Sequence, residues 1–418
     1  MLLRPTLIAL LCCATIVRAD LHVVDAAAGP GSDFLEISDA VAASAGGDVI
    51  LVRSGEYGPV AIDAKSLVLC ADAGAEVFIA GIVHVTNLSG AQSVTISGVT
   101  AQACCGQESP TFSVRDCAGP VLVQDSVLKA FLSEPLSVGD AAEVLNSASV
   151  AFVRTEMDAD VGELSVFAPQ ARGLYVESSN VGLFACSLVG VQGVPGDSIN
   201  GVPGTDGGPG LALVGTGRVS ASGSTITGGA GGAGGFPVPF GPGCTDGGDG
   251  GAGVELLASG STVFDQASTF VGGAGGIADT GCSAGDSGPS TVVKSGSIVP
   301  VTSAARGLST TSPVRAGELL TSTYSGLEGD AVFSFWSLAQ GATPHPLLGG
   351  LPIVPALPPL SLDFKGAAPA GGSLQGHATV LGLGIPAATI HVQALFYNVT
   401  EGFVLSNPQM VLLLDGAV

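Results

Sequence analysis

The sequence predicts an all-β protein, a parallel β-helix followed by a β-sandwich, and three observations carry that reading. Charged residues make up 11% and aromatics 5% of 418 residues, while glycine alone reaches 64; small and β-branched types dominate, a mixture suited to stacked strands. Short apolar runs such as "SLVLCA", "EVFIAG", "SVTISGV", "PVLVQDS" and "GLYVESSNVGLFACSLVG" alternate between small polar turns, with almost no helical period among them. Finally, "GTDGGPGLALVGTGRVSASGSTITGGAGG" aligns with "CTDGGDGGAGVELLASGSTVFDQASTFVGGAGG", so that Asp206, Asp246 and Asp286 recur 40 residues apart. A strand, a turn, a strand and a glycine-rich excursion at such a period describe one coil of a solenoid with one long loop per turn.

The elements follow in chain order. Arg4, the apolar run Leu7 to Val17 and the small Ala19 describe a secretory leader over residues 1–19, with cleavage expected after Ala19. Leu11 before Cys12 is too bulky for lipoprotein processing. A secreted, extracellular or cell-surface location is therefore expected. Prolines 352, 355, 358 and 359 break the longest later apolar stretch, so no transmembrane segment is expected once the leader is gone. In "SDFLEISDAVAASAGGDVILVRSGEY" Asp33 can cap a helix with Glu36 three residues on, and Phe34, Ile37 and Val41 share one face until Gly46 ends about three turns.

A G-D-x-I-x-V-x-x-G-x-Y phrase follows, carried by Gly47, Asp48, Ile50, Val52, Gly55 and Tyr57. With the helix before it, this opening resembles right-handed parallel β-helix proteins of the pectin-lyase-like superfamily. The resemblance implies a right-handed β-helix over residues 20–312 with an N-terminal capping helix, and it is silent about chemistry. The glycine-rich stretches at about 190–290 read as loops leaving one corner of successive coils, where glycine permits close approach and positive φ. A collagen-like reading is set aside because no strict Gly-X-Y period runs through them.

Nine cysteines include Cys12 and Cys13 of the leader, leaving an odd number after cleavage. Cys244 and Cys282 fall in neighbouring loops and are expected to form a disulfide. Cys104 or Cys105 could close a local loop with Cys117, while Cys70 and Cys186 lie inside apolar strands as buried thiols. From residue 313 to 418 the texture changes to "GDAVFSFWSL", "ATIHVQALFYN" and "GFVLSNPQMVLLLD", antiparallel strands of a sandwich that caps the last coil or anchors to the envelope. This part resembles the C-terminal domain that follows β-helices in exported proteins of planctomycete-type bacteria.

Chemistry is sparse. Thirteen basic against 35 acidic side chains give a net charge of −22, which disfavours nucleic acid and anionic membranes as partners. The paired-carboxylate phrases of polygalacturonases are absent, and the cations Lys65, Arg115, Lys129, Arg154, Arg172, Arg218 and Lys294 sit in no lyase signature. No G-x-S-x-G elbow accompanies the scattered histidines, and His84 and His391 read as packing residues of strands. Asp206, Asp246, Asp249 and Asp286 are the candidate calcium ligands, calcium being the one cofactor contemplated, against the plainer reading that they close Asx-type turns. Tyr57 and Tyr175 could offer carbohydrate platforms, against turn packing. The expected function is a non-catalytic structural, adhesive or glycan-contacting role, with polysaccharide or cell-envelope components as partners. The alternative is a lyase or glycoside hydrolase acting on acidic polysaccharide.

Overall fold

The computed structural model describes residues 19–103, 110–130, 132–133, 137–159, 171–235, 244–278, 281–344, 352–355 and 361–416. The leader, apart from Ala19, lies outside them, as do Cys104 and Cys105. From Asp48 onward the chain winds as a solenoid, every third strand in sequence lying beside its predecessor. This produces three parallel sheets of ten, eight and eight strands. In each coil the chain passes from the first sheet through the second to the third, as in Val94–Ser97, Val99–Gln102 and Phe112–Arg115. Inward-facing side chains such as Ile50, Leu69, Ile96, Val123, Phe152, Leu183 and Val263 form one continuous core.

The capping helix is shorter than its sequence signature. It runs Ile37–Ala43 with Glu36 at the N-cap and no side-chain capping bond. Asp33 instead accepts the Val23 N–H, because Phe34 pairs as an extended residue with Val24. Ile37, Ala40 and Val41 nevertheless plug the first coil as expected.

Most turns after the first and third sheets carry one residue in the left-handed region, among them Asp116, Asn146 and Ser178 after the third sheet and Asp125, Arg154 and Ala185 after the first. A small buried residue comes next, and its hydroxyl takes a backbone N–H from the preceding coil: Ser147 accepts from Cys117, Ser179 from Ser147, and Ser224 from Cys186. Here the cysteine expectation is corrected. Cys117 is a free, buried thiol because it occupies one of these corner positions, with its Sγ directed at the Val85 and Arg115 carbonyls. Cys70 and Cys186 are buried thiols as expected, pushed up by burial to about 12 and about 11.

The long excursions all leave from the corner between the second and third sheets. Three coils send out paired segments there: 190–196 and 204–210, 228–235 and 247–253, 272–277 and 285–289. Inside each, glycine does recur every third residue, as at Gly190, Gly193 and Gly196 or at Gly228, Gly231 and Gly234. Hydrogen bonds step by three as well, from Gly190, Gly193 and Gly196 to the carbonyls of Thr227, Ala230 and Ala233. Such a three-residue repeat, bonded between segments rather than within them, is that of polyproline II helices. The outgoing segments form one row and the returning segments a second, antiparallel row. Gly228, Gly231 and Gly234 donate along the row to Val271, Ala274 and Ile277, while Gly229 and Gly232 donate across to Gly208 and Thr205.

Two expectations are thereby corrected. A collagen-like period exists, though only in runs of two or three triplets. None of the row-forming glycines is in the left-handed region; glycine is needed because an added Cβ at Gly229, Gly232, Gly248 or Gly251 would overlap a carbonyl of the neighbouring segment in the same row.

The C-terminal region is a sandwich of a three-stranded sheet and a larger mixed sheet with a shared core of Leu308, Tyr324, Val332, Phe396 and Val411. It does not cap the last coil. The larger sheet lies along the outer face of the ten-stranded sheet, where Phe335, Leu405, Met410, Leu412 and Leu414 pack on Val49, Leu51, Leu122, Val153 and Phe184. Gln124 pairs its side-chain amide with both the N–H and the carbonyl of Met410, and Arg315 meets Asp72.

Candidate functional site

Two surfaces gather the chemically capable side chains. The first is the outward face of the returning polyproline II row. Asp206, Asp249 and Asp286 stack there in one file, and Asp246 stands in the next file above Ser283. The alignment at 40 residues therefore paired the wrong aspartates, because the coils are unequal: Leu211 pairs with Val254 and Val254 with Thr291, intervals of 43 and 37 residues. Asp206 Oδ1 accepts the Asp249 N–H at 2.8 Å, Asp249 Oδ1 the Asp286 N–H at 2.8 Å, and Asp246 Oδ1 the Ser283 N–H at 2.7 Å. In the triplet Gly247-Gly248-Asp249 both glycine N–H groups serve the rows, donating to Ser283 and Gly232, so the third N–H needs an acceptor, and the Asp206 carboxylate of the preceding coil supplies it. Among the described residues no three His, Cys, Asp or Glu side chains are placed to hold a metal ion. Cys244 and Cys282 are bonded, with Cα atoms 5.9 Å apart, tying neighbouring returning segments.

These aspartate carboxylates bridge coils 37 or 43 residues apart instead of closing Asx-type turns of their own loops, and that bridging role has a testable consequence. Asp249→Ala is expected to cost about 1 kcal/mol, the usual worth of such a bond. Asp249→Asn keeps the oxygen and should cost only a few tenths, as read from thermal midpoints with and without calcium. A calcium-dependent loss in the Asn variant would instead assign the file to metal.

The second surface is the outer face of the third sheet, where stacking places His84, Ser113, Glu143 and Tyr175 side by side on four successive coils. Arg115 Nη2 meets Glu143 at 2.7 Å, and its Nε donates to Ser113 Oγ at 2.8 Å. The Tyr175 hydroxyl donates to Glu177 at 3.0 Å, and the Arg172 guanidinium lies 4.6 Å over the Tyr175 ring. Arg172 also faces Asp140 at 3.5 Å, and its backbone N–H donates to that carboxylate at 2.7 Å. Burial raises Asp140 to about 6 despite Arg172, with the Glu143 charge adding to the rise. Burial, helped by Arg115, lowers His84, and burial followed by the bond to Glu177 raises the Tyr175 hydroxyl.

The sequence left Arg115, Arg172 and the acids as scattered residues; the coil spacing of about 30 residues between Ser113, Glu143 and Tyr175 was the signal that aligns them. Tyr57, by contrast, is buried and spends its hydroxyl on the Arg53 carbonyl and the Ala26 N–H. His391 is buried in the sandwich, as read from its strand.

A cavity of about 300 Å³ lies between solenoid and sandwich, lined by Phe184, Ser222, Gly223, Arg306, Ser325 and Asn407. Arg306 there is fully engaged by Asp330, Glu401 and the Ala304 carbonyl. No helix among the described residues is long and apolar enough to cross a membrane.

No family model matches the chain, and no curated protein does. Among solved structures, a superoxide reductase (neelaredoxin) from Ignicoccus hospitalis is similar over 26% of this chain and 80% of that one, at 9% identity and a TM-score of 0.17, a likeness too slight to carry an argument.

Proposed function

We propose that the chain is a secreted or surface-displayed β-helix protein that contacts glycan without turning it over, using the third-sheet file from His84 to Tyr175. The carrying observation is that file itself: His84, Glu143 and the Tyr175 ring are partly exposed on stacked coils spaced about 4.8 Å apart, while Ser113 between them is buried and holds Arg115 in place. A rigid ladder of this kind suits an extended, repetitive ligand. The arginines are pinned by carboxylates, Arg115 by Glu143 and Arg172 by Asp140, so neither serves as the free base that elimination needs. The acidic charge of the chain favours neutral polysaccharide over a polyanion. The disulfide fits an oxidising exterior and the leader over residues 1–19. The opening phrase from Gly47 to Tyr57 keeps the pectin-lyase-like superfamily as the proposed kinship.

The test is a glycan array with and without calcium, joined to assays for reducing ends and unsaturated products on acidic polysaccharides. Binding without product is expected, and Tyr175→Ala should weaken it at least ~10-fold, the scale of one lost aromatic contact, while leaving the thermal midpoint within a few degrees. Asp140, raised to about 6, is the one observation favouring a lyase or hydrolase, since a carboxyl protonated near neutrality can act as a general acid. Product formation abolished by Asp140→Asn would replace the binding reading with that one.

A further inference from the structure

We infer that the last coil of the solenoid is a self-association surface and that two copies of this chain meet there end to end. The three strands of that coil, Thr269–Val271, Thr291–Val293 and Ser297–Pro300, are the terminal edges of the three sheets, each paired on one side only among the described residues. The core itself opens at this end. Leu213 and Leu256 are fully buried, yet Val293, next in the same inward file, is 48% exposed. Ile226 and Val263 are likewise fully buried, while their successors Phe270 and Ile298 are only partly covered. Val271, Ile277 and Val299 add exposed apolar surface around the rim.

Other ends of this molecule carry protection that the last coil lacks. The helix Ile37–Ala43 closes the first coil. The sandwich edge strand Ser361–Ala367 has a register shift against its neighbour, Gly366 at φ 131°, and Asp363 and Lys365 on the strand, the usual devices against edge pairing. The three terminal strands of the solenoid contain no charged residue and no bulge, in a chain of net charge −22. Lys294 and Asp286 border these strands on the same coil, but the strand edges themselves bring no charge to oppose the approach of two acidic copies.

The occupant must match a triangular rung of three strands, and a second copy of the same coil does so. The first coil is closed, so the mate presents its own last coil, and the contact is isologous and closed instead of propagating into a fibre. Geometry permits this with one axis. The excursion corner lies between the second and third sheets, opposite the first, so a twofold axis through both sets Ser297–Pro300 antiparallel to its equivalent. The second-sheet edge of one copy then meets the third-sheet edge of the other.

Sedimentation equilibrium on the full chain after leader removal is expected to return twice the chain mass at ~10 μM, a concentration suited to micromolar association. Placing acids on the rim, Val271→Asp with Val293→Asp, should weaken association at least ~100-fold, since each buried charge meets its like across the axis. Phe364→Asp, on the exposed face of the sandwich, should leave the dimer intact. A second readout does not depend on the fold tolerating buried acids: Val299→Cys should cross-link between copies under mild oxidation, and Phe364→Cys should not. A monomer throughout, or a dimer broken by Phe364→Asp and cross-linked through Phe364→Cys, would overturn the inference.

Discussion

Gly229→Ala is expected to destabilise the glycine-rich rows by about 3 kcal/mol or more, an effect out of proportion to one methyl group. The added Cβ would overlap the Val191 carbonyl oxygen and stand close to the carbonyl of Gly190. Both are backbone atoms that cannot rotate away, so the segments 190–196 and 228–235 must separate. Separation breaks the bonds of Gly190 and Gly193 to Thr227 and Ala230 as well. Overpacking with a single methylene in a tight core costs about 1–3 kcal/mol, and lost backbone pairing adds to it. Alanine at Gly74, where the Cβ would meet nothing within 4 Å, is the comparison for a glycine kept by its positive φ alone; it should cost about 1 kcal/mol. Amide hydrogen exchange provides the check: protection at 228–235 should collapse in the Gly229 variant while protection in the three sheets persists.

Acidification should remove about 3 kcal/mol of stability through His391, and His391→Gln should abolish that loss. Burial lowers this imidazole to about 4, and its Nδ1 has no hydrogen-bond partner. The unfolded chain takes up the proton near pH 6.5, whereas the folded chain resists until about 4. The stabilising effect of the neutral ring is therefore complete above pH 6.5, declines as pH falls below it, and is exhausted near 4; each tenfold difference in proton affinity between the two states is worth about 1.4 kcal/mol. Asp140 acts in the opposite sense. Its folded value of about 6 exceeds the ordinary 3.8, so it stabilises fully below the ordinary value and loses that contribution as pH rises through 6. The two effects nearly cancel between about 4 and 6. Urea midpoints across this range should fall more steeply on acidification in Asp140→Asn than in the native chain and less steeply in His391→Gln, with His84, also lowered by burial, adding a loss of the same sign in all three.

Much of the solenoid was legible because its physics is local. Each coil needs inward apolar residues at alternate positions and a small residue at each corner, and both leave their mark on strings such as "VTISGVTAQ" and "VLVQDSVLK". The disulfide was legible for a related reason, since excursions from one corner of successive coils must be neighbours. The docking of the sandwich also leaves a mark on the sequence. Strands of the second and third sheets alternate, as in "VAID", while several of the first, toward its N-terminal end and middle, are apolar on both faces, as in "DVILV", "LVLCA" and "VAFV". Apolar residues on both faces mean both faces are covered, inwardly by the coil and outwardly by Met410, Leu412 and Leu414.

What the chain's letters determined alone was therefore the existence of stacked coils, the common corner of their excursions and the pairing of Cys244 with Cys282. Only the tertiary structure decided which aspartates are neighbours, why Cys117 stays a thiol, and that His84, Ser113, Glu143 and Tyr175 share a face. The reason is that strand alternation and turn chemistry act over a few residues, whereas register between coils depends on the exact length of every excursion. Intervals of 43 and 37 average to the period read from the sequence, and an average cannot say which side chain lies above which.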